Sequence, residues 1–266
     1  MRTVRQIAGG LLLLLIAAAA FPRMVTQAPY DRQFREYPNA AVSRQFPLGT
    51  DELGRDRLAR LLYGTRISLA GAPAAALVSV LLAAVVGGLG GFLGGWPDRC
   101  CLAVMDLMAS LPWLFLLVIV RSLLPLNLSP VWSVLVTFGL IGALGWAPAA
   151  RVVRAACRSL RDADLVIQAR ACGLSSGRIL RKHVLPNVRP VLAAQFRTSV
   201  PLYILAEANL GVLGLGVEDP IPSWGNLLRS LENAFVPGWT AWMPLAVMVL
   251  VVSSFYLIGN GEAAAS

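Results

Sequence analysis

Lysine is almost missing from this sequence: Lys182 is the only one in 266 residues, and the neighbouring His183 is the only histidine. Because that lysine is followed by histidine, no GxxxxGKS or GxxxxGKT string exists, and the chain has no phosphate-cradling loop of its own. One histidine excludes an HExxH pair and any cluster of imidazole ligands. The four cysteines, Cys100, Cys101, Cys157 and Cys172, include no CxxC spacing and read as small packing residues. The expectation is no metal, no cofactor, no disulfide framework and no enzyme.

Charge is scarce as well. Only 14% of the residues are charged, against about 25% in soluble domains, while 57% are hydrophobic. With a mean hydropathy of +0.67, the chain is expected to lie mostly in lipid. The net charge of +9 sits between apolar runs instead of covering one face, which fits orientation in a membrane better than nucleic-acid binding.

Apolar stretches recur at residues 7–21, 67–96, 100–124, 131–150, 191–217 and 242–258, which predicts an all-α membrane protein with six transmembrane helices. The first run is short and alanine-rich, so a cleaved signal peptide is the alternative to an uncleaved first span flanked by snorkelling arginines. The expected organisation is an N-terminal transmembrane helix at 1–22, an extracytoplasmic segment with a short amphipathic helix at 23–66, a core of five further helices at 67–261 and a tail at 262–266. In the second segment Thr50 is placed to cap a helix whose first turn holds Asp51 and Glu52. Gly87-Gly88, Gly90-Gly91 and Gly94-Gly95 suit close helix approach near the end of the second span.

The most informative interval is 151–190, which holds nine basic residues against Asp162 and Asp164. Val152, Val153, Ala156, Leu160, Ala163 and Ile167 share one side of a helix, and Arg151, Arg154, Arg158 and Arg161 share the other. Gly173 should break this helix. Ser175, Ser176 and Gly177 then offer a turn and a new N-cap, and a short basic helix follows that should stop near Pro186. The positive-inside rule puts this helix-bend-helix in the cytoplasm, with both termini on the same side.

Polar residues within the apolar runs are candidates for the pathway or for structure: Asp106, Arg197 and Glu207. Asp106 lies only about two turns from Arg99 and reads as structural. Arg197 and Glu207 are roughly 15 Å apart along one helix and cannot pair, while Pro201 between them predicts a kink that suits a pore-lining element.

Ala169-Arg170-Ala171-Cys172-Gly173, followed after eleven residues by Leu185-Pro186-Asn187, resembles the cytoplasmic EAA loop of ABC-importer permeases of the dipeptide, oligopeptide and nickel type. Ile167 and Gln168 stand where that loop usually has an acid and an alanine. PLGTDELGRD with RLLYGTRISL before the second span, Ala206 to Gly216, and Pro222-Ser223-Trp224-Gly225-Asn226 resemble the same family, so the likeness runs from about 28 to 261.

The resemblance implies a type I ABC importer permease-like fold with a cytoplasmic coupling helix, in the cell inner membrane. Its expected partners are a homologous permease subunit, two cytoplasmic ABC ATPases, an extracytoplasmic solute-binding protein and membrane lipid, with no nucleic acid. Ala169, Arg170, Gly173, Ser175, Leu185 and Pro186 would form the ATPase-coupling loop, and Asp51, Arg55, Asp56 and Trp224 would make extracytoplasmic contacts. The cargo would be peptides or nickel chelates. An ion-coupled carrier using Glu207 or Asp106 as its proton site is the alternative, and a non-transporting scaffold is a third.

Overall fold

The computed structural model describes residues 2–26, 28–125, 129–232 and 239–263. Leucine and alanine, strong helix formers, carry α1 (Arg2–Ala20), and proline in its first turn opens the short α2 (Pro22–Val25). Turns then lead to α3 (Arg57–Leu93), α4 (Gly95–Ser110) and α5 (Trp113–Leu123), followed by α6 (Pro130–Leu144), α7 (Ala147–Arg161) and α8 (Asp164–Ala171). After α9 (Ser176–Ile179), a π-helical turn at Leu180–Val184 runs directly into α10 (Leu185–Val212). The chain ends with α11 (Trp224–Arg229), two 3-10 turns at Ser230–Glu232 and Trp239–Trp242, and α12 (Met243–Ala263). Among the described residues there is no strand, only isolated bridges joining Gln33 to Arg55 and Thr50 to Asp56. Met1 and the tail from 264 lie outside the described residues.

By length and composition, α3 and the Trp239–Gly259 stretch suffice to cross a membrane, and counting each bent pair, α4 with α5 and α6 with α7, as one span raises the total to four. α1 carries a shorter apolar stretch, Arg5–Ala20. α10 carries Arg189, Arg197 and Glu207 and is not among the spans picked out by length and composition.

The third apolar stretch is not one straight helix. Pro112 disfavours helical geometry at the residue before it, Leu111 is extended at φ −94° and ψ 131°, and α4 and α5 meet at 83°.

α3 is the axis of the bundle. Its 37 residues extend about 55 Å at 1.5 Å per residue, well beyond a hydrocarbon layer of about 30 Å. It begins at Arg57, with the Asp56 carboxylate accepting the Leu58 N–H at 2.9 Å, so Thr50 does not cap it as expected. Thr50 Oγ1 instead accepts the Ala40 N–H at 2.8 Å and donates to the Tyr37 carbonyl, and Asp51 and Glu52 lie in the turn ahead of the helix.

Two cores pack along α3. Toward its Arg57 end, Ala72, Ala75 and Ala76 meet Phe138 and Ile141 of α6, Tyr203 and Ile204 of α10, and Trp224 of α11. Toward its Leu93 end, Ala83 and Phe92 meet Met105, Val153, Cys157, Val166, Ala169 and Ile179. The crossing with α7 depends on glycine: a Cβ on Gly87 would strike the Ala150 carbonyl, and one on Gly91 the Arg154 carbonyl. This is the spacing by which small residues let helix backbones touch. α7 is tied to α4 as well, through a two-pronged pair from Arg154 to Asp98 at 2.5 and 2.7 Å and a single contact from Arg151 to Asp106 at 2.6 Å. At the other side of the bundle α1 packs against α12, with Arg5 Nη2 donating to the Ile258 carbonyl at 3.4 Å.

Candidate functional site

The helix-bend-helix lies at the Leu93 end of α3. The amphipathic helix breaks earlier than its periodicity predicts: α7 stops at Arg161, and α8 starts afresh at Asp164. Gly173 then closes α8 with both bonds of a Schellman motif, Leu174 N–H to the Ala169 carbonyl at 3.1 Å and Gly173 N–H to the Arg170 carbonyl at 2.9 Å. Gly173 sits at φ +76°, the left-handed conformation that this motif demands and that side chains resist.

Ser175 takes the N-cap position through its carbonyl, which receives the Arg178 and Ile179 N–H groups at 2.9 and 3.0 Å, while its hydroxyl makes no capping bond. Pro186 does not end the second helix as expected. It occupies the first turn of α10, where the ring costs no intrahelical bond, and the helix continues through Pro190 and Pro201. Gly173-Leu174-Ser175-Ser176-Gly177 fits the G-x-S-x-G string of esterases, but a helix leads into it where a nucleophile elbow needs a strand.

One face of this elbow is anchored and the other is bare. Val166, Ala169, Ile179, Val184 and Val188 are buried in the second core. The Arg170 guanidinium lies 5.9 Å from the Phe92 ring centroid, a cation–π contact that ties the elbow to α3. Gly173, Ser175, Leu185 and Pro186 are exposed, as are Leu165 and Ile167, on either side of buried Val166, and the basic residues Arg178, Arg181 and Lys182. The hydrogen bond from Arg161 holds the Asp162 carboxyl below the usual carboxylate range, with Arg158 and Arg170 adding to the effect. Of the four cysteines, Cys157 packs in the core, whereas Cys172 is exposed and does not pack.

The Arg57 end of α3 holds a second cluster. Glu207 is fully buried, and its carboxyl accepts the Ser68 hydroxyl at 3.0 Å and the Gly225 N–H at 3.2 Å. Ser68 also accepts the Trp224 N–H at 3.1 Å, and the Trp224 indole N–H reaches Thr65 at 3.0 Å. Ser223 and Asn226 form a reciprocal capping box at the start of α11. The Pro-Ser-Trp-Gly-Asn string is thus a local device that docks α11 onto α3 and α10. Trp224 is 0% exposed and Asp56 4%, so neither makes the outer contact expected of it: Trp224 packs, and Asp56 caps.

Asp51 and Arg55 do come together, at 2.6 Å, and Asp219 joins them through Arg55 at 3.1 Å and Arg60 at 2.9 Å. Burial works against the charge on Asp219, but the Arg60 and Arg55 guanidiniums outweigh it and hold the carboxyl below its ordinary range. Glu218, next in sequence, turns to Arg121 of α5 at 3.3 Å. Asp106, Arg197 and Glu207 do not meet: Asp106 pairs with Arg151, and the Arg197 guanidinium donates to the Ala193 carbonyl at 3.3 Å.

Sequence reasoning missed Arg60, Arg121 and Asp219 as parts of this cluster. A lone arginine in an apolar run, as Arg121 is, was the available signal.

The family model for a binding-protein-dependent transport system inner membrane component matches residues 79–260. The oligopeptide transport system permease protein OppC of Mycobacterium tuberculosis is 33% identical over 252 residues, covering 94% of this chain and 85% of that protein. The dipeptide transport system permease protein DppC of Bacillus subtilis is 30% identical over 253 residues, covering 94% and 77%. Among solved structures, a chain of the MetNI methionine ABC transporter in an inward-facing conformation superposes with a TM-score of 0.61 at 18% identity, over 77% of this chain and 95% of that one.

Proposed function

Since the chain belongs to the family of binding-protein-dependent transport system inner membrane components, we propose that it is one of two permease subunits lining a path for short peptides. Two cytoplasmic ABC ATPases drive the path, and an extracytoplasmic solute-binding protein loads it. Peptide cargo is inferred from the relatives named oligopeptide and dipeptide permeases. The observation that carries the mechanism is the elbow of α8 and α9. Its buried face is locked to α3 and α7, while Leu165, Ile167, Leu185 and the basic Arg178, Arg181 and Lys182 stay exposed and available to a partner. An ATPase that pulls on this patch moves α7 and α10 together, because the elbow leads into both.

Six spans are assigned to α1, α3, the α4–α5 pair, the α6–α7 pair, α10 and α12. The basic elbow and both termini lie in the cytoplasm, and the Asp219 cluster lies outside. The orientation has a direct test. A membrane-impermeant maleimide labels exposed Cys172 in inside-out vesicles and not in intact cells, whereas buried Cys157 resists in both. Labelling of Cys172 from outside overturns the topology.

The function is tested in proteoliposomes containing the chain with its partner permease and ATPases. Uptake of a radiolabelled tripeptide requires ATP on the ATPase side and loaded binding protein on the other. Uptake driven by a proton gradient without ATP, and lost in Glu207→Gln, would replace this reading with an ion-coupled carrier.

A further inference from the structure

A cavity of about 580 Å³ opens at the Arg57 end of α3, between the turns before that helix, the end of α10 and the start of α12. Its size lies within the range of small-molecule sites, roughly 300–1,000 Å³. Four arginines and four acids line it, so it is charged but balanced. The arginines are not equally engaged. Arg60 is only 5% exposed, and two of its nitrogens face Asp219 and Asp51 at 2.9 and 4.0 Å, yet its Nη1 has no acceptor. That nitrogen is itself occluded, and a buried N–H with no acceptor is a standing desolvation cost that a small turn of the guanidinium toward an anion in the cavity would remove.

Two more guanidiniums lining the cavity are under-used. Arg57 Nη1 has one long contact, 3.5 Å to the Thr240 hydroxyl. Arg229 rests against Gly214 and, among the described residues, makes no hydrogen bond or ion pair. Guanidinium forks match the geometry of a carboxylate. Asp219 lines the same cavity: both arginine contacts to it fall on Oδ1, leaving Oδ2 without an arginine on a side chain that is 60% exposed.

We propose that this cavity is a binding site for a short zwitterionic peptide, its free C-terminal carboxylate held by Arg60, Arg57 and Arg229 and its ammonium group facing Asp219. The inference rests on the reading of the chain as a peptide permease and adds to it a cargo station on the permease itself, separate from the binding protein. Balanced charge favours a peptide over a purely acidic ligand, since four arginines against four acids leave no excess positive charge for an anion, whereas a zwitterion adds no net charge.

The test is calorimetric titration of the assembled permease–ATPase complex in nanodiscs, without binding protein, using trialanine and trialanine amide. Trialanine binds, the amide binds on the order of tenfold more weakly, and Arg60→Gln weakens trialanine binding by a similar factor. Arg60 also anchors Asp219, so Arg60→Gln can prevent assembly. In that case Arg229→Gln, at an exposed side chain that has no partner among the described residues, decides by the same loss of affinity.

Equal binding of peptide and amide overturns the proposal. So does an absence of trialanine binding in a complex whose ATPase still responds to loaded binding protein, a result that leaves the permease reading standing. If that response is missing as well, the permease reading falls and the cargo station falls with it. If Arg229→Gln weakens docking of the binding protein while trialanine never binds, the arginines serve an acidic face of that protein and the peptide site is wrong.

Discussion

Replacing Gly225 with valine should lower the melting temperature of the solubilised chain by roughly 6–12 °C, the equivalent of about 3 kcal/mol for a chain of this size. A Cβ at this position would lie 2.7 Å from both the backbone carbonyl and the carboxyl of Glu207, and 2.8 Å from the Gly211 Cα. Two of those three atoms are backbone and cannot swing aside. The third belongs to a buried carboxyl whose bonds to Ser68 and to Gly225 itself would be broken by moving it. An acid left in the core without hydrogen bonds adds its own desolvation cost of about 1–3 kcal/mol. The control is Gly139→Ala. That glycine lies within α6 with no atom within 4 Å of an added Cβ, so alanine there should be neutral or raise stability by up to about 1 kcal/mol. Thermal unfolding followed by size-exclusion fluorescence separates the two. Equal melting temperatures for both variants would show that α11 is not clamped in the way described.

The second large effect is functional. Gly173→Val should cut the stimulation of the ATPase partners by loaded binding protein on the order of tenfold, while Gly173→Asn keeps most of it. Space is not the obstacle, because nothing lies within 4 Å of a Cβ at Gly173. The obstacle is the backbone: φ of +76° costs a β-branched residue about 1–3 kcal/mol, whereas asparagine tolerates it. Relief of that strain opens the Schellman turn and re-aims α9, and 1–3 kcal/mol corresponds to roughly 5–150-fold in the population of the working geometry. Reconstituted ATPase assays decide the matter. If the valine and asparagine variants are stimulated alike, the bend is not the transmitting element.

Much of this architecture is written in local patterns. The glycines at 87 and 91 announce a close helix crossing, Gly173 announces a left-handed helix end, and the arginine periodicity of 151–161 announces an amphipathic helix; each depends only on residues within a turn or two. The misreadings share the opposite property. Thr50, Asp51 and Glu52 form a sound capping pattern, but the two hydrogen bonds that Thr50 makes to Ala40 and Tyr37 draw it into a folded loop, and the cap passes to Asp56. Pro186 reads as a stop only if a helix precedes it with regular spacing. The π-helical turn at Leu180–Val184 resets that spacing and leaves the proline in a first turn.

The charged cluster around Asp219 was hidden for another reason. Arg60 and Asp219 are 159 residues apart in sequence, and Arg121 and Glu218 are 97 apart, so no window of the sequence contains either pair. The outer contact that the family resemblance implies for Trp224 fails for the same reason. Only the tertiary placement of Thr65 and Ser68 turns its indole inward.

α3 is a single helix about 55 Å long that crosses α7 at Gly87 and Gly91, nearer its far end than its middle. Pro73, which interrupts the ladder of backbone hydrogen bonds, falls between that crossing and Arg57. The helix therefore has a short arm clamped by two glycines beside the elbow and a long arm, packed against α6 and α10, with a weak point inside it. A push at the short arm would reach Arg57 and Arg60 as bending about a proline, in place of the tilt of one rigid rod.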